Sequence, residues 1–285
     1  MTKKGDNKMN GIKVFKSVEG RDKIRSYYNK ILSFFPFIQR YVETSFGKTF
    51  VLEAGIAENP PIILLHGSCS NSAAWLGDIP SLATTYHVFA IDLLGEAGNS
   101  DENRLDLNSD DYPRWLNEVM DLLDLQQSVI IGNSLGGWLA LHFAADFPER
   151  TKALVLIAPS GILLPKQSFL DQTEDILVNP GGAAAVSEAM IGELQLPKEV
   201  LEFMALVMEN FNPILGALPV LTDEQLGSLT MPLLYIAGTN DIAIDSTQAA
   251  LRLSRFVSHA KIHLSDRAHV ITSAAELIIP FLTEV

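Results

Sequence analysis

Gly132-Asn133-Ser134-Leu135-Gly136-Gly137 is the stretch on which the fold turns. An apolar run, Ser128-Val129-Ile130-Ile131, leads into it. A segment from Leu135 to Phe147, apolar nearly all round, leads out. A chain passing from strand to helix in one tight turn leaves no room for side chains at Gly132 and Gly136. It also forces the serine between them into a strained backbone conformation. Ser134 is thereby lifted above the sheet, at a helix N-terminus whose N–H groups and dipole favour a developing negative charge. This is the strand–turn–helix context that a G-x-S-x-G nucleophile elbow requires.

Working outward, the same alternation repeats. The runs Ile62–Leu65, His87–Ile91, Ala153–Ile157, Leu233–Ile236 and Ala260–Leu264 are short and mostly apolar on both faces, as strands of a parallel sheet covered on both sides are. Between them, Asp110–Leu125 and Asp245–Phe256 carry helical periodicity behind acidic caps. Tyr41–Ser45 and Thr49–Ala54, on either side of Gly47, read as a β-hairpin. The final helix begins near Thr272 and contains Pro280, where a kink or break is expected. The expected class is α/β, a mostly parallel central sheet with helices on both faces.

One stretch interrupts the alternation. Residues 162–229 hold helical signals and no convincing strand, and they are too long for an ordinary connection. A helical cap inserted into a core made of residues 41–161 and 230–285 is the expected organisation. Residues 1–40 stand outside it as an arm and an amphipathic helix, with Ile24, Tyr27, Tyr28, Ile31 and Leu32 on one side and residues 1–16 loose. The first 30 residues carry nine Lys/Arg against three Asp/Glu, while the whole chain of 285 residues has a net charge of −13. A basic arm therefore precedes an acidic body, and the arm reads as a solvated terminus with some capacity to touch an anionic surface.

A serine hydroxyl needs a base. Only loops at the C-terminal ends of parallel strands meet at the face where Ser134 emerges, which leaves His66 and His269 of the six histidines. His269, downstream in a loop after the last strand, fits the order serine, carboxylate, histidine expected on such a sheet. The orienting carboxylate is Asp241, just past the preceding strand. Asp245 is better placed as a helix cap, and Asp266 as a turn residue. An oxyanion hole needs two backbone N–H donors. Leu135 supplies one, and the loop His66-Gly67-Ser68-Cys69 the other, with Ser68 the first choice and Cys69 the second. Cys69 is expected to line the pocket.

These residues together resemble the α/β-hydrolase superfamily from about Tyr41 to Val285. The His66-Gly67 pair, the Ser134 elbow, Asp241 and His269 carry the likeness. So does Asp92-Leu93-Leu94-Gly95-Glu96-Ala97-Gly98-Asn99-Ser100, which is similar to the family's D-x-x-G-x-G-x-S loop with one extra residue. That loop is usually structural in the family, so the resemblance gives Asp92 no catalytic role. The glycine usual before the histidine is Ala268 here. The sequence most resembles small bacterial carboxylesterase-like members with a helical cap. The resemblance implies a serine hydrolase that cleaves a carboxylic ester through an acyl-enzyme, with no cofactor and no metal. Asn133 before the serine also occurs in C–C bond hydrolases of the meta-cleavage type, which keeps that reaction as an alternative, beside a non-catalytic ligand-binding protein on the same fold.

Trp75, Trp138, Met204 and Met208 are candidate pocket residues, although packing of the cap onto the core is the more ordinary account of most such side chains. The partner is then a small-molecule ester. The acidic balance disfavours nucleic acid. A single cysteine and the lack of any run of about 18 apolar residues point to a cytoplasmic chain without integral membrane association. Oligomeric state is not readable.

Overall fold

The structure, a computed structural model, describes residues 13–178 and 182–285. The first twelve residues of the expected arm therefore lie outside the described residues.

The hairpin β1 (Ile38–Thr44) and β2 (Gly47–Ala54) forms one edge of the sheet. The other strands are β3 (Pro61–Leu65), β4 (His87–Ile91), β5 (Ser128–Asn133), β6 (Thr151–Ile157), β7 (Leu233–Gly238) and β8 (Lys261–Ser265). All eight pair in the order β1-β2-β4-β3-β5-β6-β7-β8, antiparallel as far as β4 and parallel from β4 to β8. The α/β architecture expected from the apolar runs is the one observed.

Alternation along the strands explains why those runs are apolar throughout. Ile63, Leu65, Phe89, Ile91, Ile130, Leu154 and Leu156 enter one core, and Ile62, Leu64, Val88, Ala90, Ile131 and Val155 enter the other. Successive strand side chains point to opposite faces, and both faces are covered. On the first face lie α3 (Asp111–Leu122), α4 (Leu135–Asp146), α8 (Asp223–Gly227) and α9 (Ser246–Phe256). On the second lie α1 (Val18–Leu32), α2 (Ile79–Leu82) and α10 (Ala275–Leu282). Each fully buried aliphatic side chain contributes roughly 1.5–3 kcal/mol, so the two layers need no covalent staple. Pro280 lies inside α10, and the helix ends two residues later.

Between β6 and β7 the chain forms α5 (Gln167–Val178), α6 (Gly182–Ile191) and α7 (Lys198–Asn210) before reaching α8. α6 meets the loop after β8 through the Val270 N–H, which donates to the Met190 carbonyl at 2.9 Å.

The N-terminal segment differs from expectation. Residues 13–16 are not loose. Val14 and Phe15 are buried, Lys16 N–H donates to the Asn210 carbonyl at 2.8 Å, and Asn212 N–H donates to the Val14 carbonyl at 2.9 Å. Phe15 meets Phe211 edge-on with ring centroids 5.7 Å apart. A charged terminus reads as solvated, but here its two apolar residues form a small third core with Ile24, Ala97, Val207 and Phe211. The helix that follows starts as expected, with the Ser17 hydroxyl accepting the Gly20 N–H.

Candidate active site

Ser134 sits at φ 51° and ψ −109°, a conformation that a side chain rarely adopts. The glycines make it possible. A Cβ at Gly132 would stand 2.2 Å from the Gly136 carbonyl oxygen, and one at Gly136 would stand 2.2 Å from that of Leu65. Strand, turn and helix are thus packed backbone against backbone. The Ser134 N–H donates to the Ile157 carbonyl at 2.9 Å, which ties the turn to β6.

Three loops bring the expected polar side chains together. The Ser134 hydroxyl lies 3.0 Å from Nε2 of His269, and Nδ1 of His269 lies 2.7 Å from Oδ2 of Asp241. The short second contact suits Nδ1–H donating to a carboxylate. Oδ1 of Asp241 accepts the N–H groups of Ala243 at 2.7 Å and Ile244 at 3.1 Å, so the carboxylate is fixed from behind. The neighbouring carboxylates are used elsewhere. Asp245 caps α9 through the Gln248 N–H, and Asp266 accepts from the Asn240 amide. Ala268 packs against the α6 end of the chain, where Gly192 leaves space: a Cβ at Gly192 would meet that of Ala268 at 2.8 Å.

Three of the other histidines are engaged in structure. His66 is fully buried, with Nδ1 2.7 Å from the Gly67 carbonyl and Nε2 accepting the Leu93 N–H at 2.9 Å. Burial pushes its imidazole below the ordinary histidine range, which suits this neutral, bridging role. His87 pairs with Glu53, and His259 with the Met231 carbonyl.

The loop after β3 faces the elbow. A Cβ at Gly67 would meet the Asn133 amide oxygen at 2.9 Å and the Ser134 Cβ at 3.4 Å. Leu135, the first residue of α4, has no intrahelical acceptor for its N–H. Ser68 is exposed, and its N–H has no acceptor among the described residues. The Cys69 N–H, the second choice for the oxyanion donor, is already given to Oε2 of Glu96 at 2.7 Å. Burial pushes the Cys69 thiol up to about 12, so it carries no thiolate at neutral pH.

Asp92 is a buried hub. It accepts from the Tyr28 hydroxyl, the Ser72 N–H and hydroxyl, and the Asn99 N–H, within 3.0 Å in each case. Trp138 is buried, meets Tyr112 edge-on and donates its indole N–H to the Pro219 carbonyl, as a packing residue does. Trp75 is buried in the second core, and its N–H has no partner among the described residues. Met204 and Met208 on α7 are half-buried, and the Met208 sulfur lies 3.2 Å from the Ser187 hydroxyl. Glu96 was not singled out from the sequence, and the extra residue in its loop was the available signal.

Residues 60–184 match the family model described as the alpha/beta hydrolase fold. An uncharacterized carboxylesterase of Bacillus subtilis, nap, is 32% identical over 246 residues, covering 82% of this chain and 82% of that protein. The crystal structure of naproxen esterase (carboxylesterase NP) from Bacillus subtilis superposes with a TM-score of 0.84 at 28% identity, covering 94% of this chain and 99% of that one. A meta-cleavage product hydrolase from Pseudomonas fluorescens shares the fold, with a TM-score of 0.70 at 22% identity over 86% of this chain and 97% of that one. With the elbow, the sheet order and a relative of this identity over four fifths of its length, the chain belongs to the α/β-hydrolase superfamily, with bacterial carboxylesterases among its relatives.

Proposed function

We propose that this protein hydrolyses a carboxylic ester through an acyl-enzyme formed on Ser134. The observation that carries the reading is the hydrogen-bonded chain from the Ser134 hydroxyl through His269 to Asp241, at 3.0 and 2.7 Å. The Ser134 oxygen attacks the ester carbonyl carbon while its proton passes to Nε2 of His269. Asp241 keeps Nδ1 protonated and stabilises the imidazolium. The oxyanion is held by the N–H groups of Leu135 and Ser68. His269 then gives its proton to the leaving alkoxide, and water, deprotonated in turn by His269, releases the acid. Residues 162–229 act as a cap over this face, and Met204 and Met208 on α7 serve as candidate walls for the acyl or alcohol group.

The test is direct. A fluorophosphonate probe should label Ser134 stoichiometrically. Ser134→Ala should stay folded and lose at least about 10³-fold in p-nitrophenyl acetate turnover, since a triad acts as a unit. A folded wild-type protein that neither labels nor turns over esters would refute the reading in favour of a binding protein. Cleavage of a vinylogous diketone with no ester turnover would favour C–C bond hydrolysis. The likeness to esterases over most of the chain supports the ester.

A further inference from the structure

The loop expected to hold the oxyanion is braced from behind by a carboxyl group that the proposed reaction does not use. Glu96, in the loop after β4, is 2% exposed. Its Oε2 accepts the Cys69 N–H at 2.7 Å, while its Oε1 is buried without a partner among the described residues. Cys69 itself sits at φ 57°, a left-handed conformation that a residue other than glycine keeps only where its surroundings hold it. The Glu96 carboxyl accepts the N–H of this residue, in the loop whose Gly67 packs against Asn133 and Ser134.

The surroundings also bear on its charge. Arg104 from the same loop, Cys69 from the facing loop and Tyr112 from α3 are the titratable and charged groups that face it. Arg104 forms no ion pair with Glu96. Its guanidinium donates to the carbonyls of Gly95 and Asn212 and lies over the Phe211 ring, 5.3 Å from the centroid. An ionised Glu96 would leave Oε1 as a buried, unpaired anionic oxygen, which burial strongly disfavours.

We propose, resting on the esterase reading, that Glu96 is the positioning residue of the oxyanion loop, fixing the Ser68–Cys69 peptide through the Cys69 N–H, and that it acts in its neutral form. A neutral carboxyl keeps the N–H acceptor and adds no charge near the developing oxyanion. A carboxylate there would stand one peptide away from that negative charge and repel it. Burial, opposed by Arg104 and the Cys69 N–H, pushes the Glu96 carboxyl up to about 8, which brings the change of form into the working range.

The experiment measures kcat and KM for p-nitrophenyl acetate from about pH 6 to 10 for wild type, Glu96→Gln and Glu96→Ala, beside a 13C NMR titration of the glutamate carboxyls. Wild-type kcat should fall above about pH 8, with KM little changed. Glu96→Ala, which leaves the Cys69 N–H unpaired, should lose about 10- to 100-fold in kcat at every pH. Glu96→Gln, which keeps shape and acceptor, should recover most of that loss, and its profile should lack the alkaline fall. The NMR titration should show one carboxyl near pH 8 that is missing in Glu96→Gln. An unchanged alkaline limb in Glu96→Gln, wild-type turnover by Glu96→Ala, or Glu96 titrating in the ordinary carboxylate range would overturn the proposal. Should Glu96→Ala fail to fold, the comparison of wild type with Glu96→Gln decides alone. A wild type inert to esters and to fluorophosphonate defeats the esterase reading instead, and the NMR titration then still judges the neutral form.

Discussion

Gly136→Ala offers a measured perturbation of the elbow. A Cβ at Gly136 would lie 2.2 Å from the Leu65 carbonyl oxygen and 2.6 Å from that of His66, where real Cβ contacts do not fall below 3.0 Å. Neither carbonyl can swing aside, because Leu65 ends a strand paired on both sides, with β4 and β5. The start of α4 must therefore retreat from the end of β3 by about 0.8 Å. Ser134 and Leu135 travel with α4, and Ser68 stays with β3. The two donors proposed for the oxyanion are thereby pulled apart by most of an ångström. Misplacement of about 1 Å costs roughly 10²-fold, or about 2.7 kcal/mol in the barrier. Overpacking should also cost about 1–3 kcal/mol of stability. The assay is kcat/KM on p-nitrophenyl acetate, with thermal unfolding followed in parallel. Gly227→Ala is the control, since a Cβ there meets nothing within 4 Å. It should leave turnover unchanged. A folded Gly136→Ala protein with kcat/KM within about threefold of wild type would refute the reasoning, because the packing at the elbow would then not set the donor geometry.

Two further outcomes are expected. Glu96, raised by burial to about 8 from an unfolded value of 4.5, binds its proton more tightly when folded. Its stabilising contribution is therefore complete below about pH 4.5, is lost as pH rises to about 8, and is gone above that. Glu96→Gln should gain on wild type by a few kcal/mol between about pH 5 and 9 in urea unfolding, and a constant difference across that range would contradict the burial argument. Phe15→Ala removes a ring that is 3% exposed and packed edge-on against Phe211. It should cost about 3 kcal/mol, felt first as faster amide exchange in α7, and unchanged exchange there would show that the N-terminal segment does not brace that helix.

The sheet was legible because burial on both faces demands it. A strand covered by two layers is mostly apolar on both faces, and six such runs, each ending in a loop with polar residues or glycine, leave few other folds open. The elbow was legible for a different reason. Two backbones in contact admit only glycine, so the motif records a steric fact rather than a preference. Asp241 and His269 followed from topology, since the loops after β5, β7 and β8 leave the sheet on one edge, and the hydrogen bonds at 2.7 and 3.0 Å join them.

The features that escaped are those whose meaning depends on a distant partner. Val14 and Phe15 are two apolar residues among lysines, too few to carry a period, and their burial depends on Phe211, nearly 200 residues later. Glu96 reads as a solvated loop charge. Nothing within its own loop shows that Cys69 offers a backbone N–H there, or that Arg104 is committed to the carbonyls of Gly95 and Asn212. A buried acid without an ion pair is unfavourable in its charged form, and a fold keeps one only when its neutral form has something to hold. Here that is the N–H of a residue at φ 57°, next to the exposed Ser68 N–H proposed to meet the substrate. The carboxyl and the strained cysteine therefore explain each other: without Glu96 the part-buried Cys69 N–H would lose its acceptor, and without that N–H the acid would have no hydrogen-bond partner among the described residues.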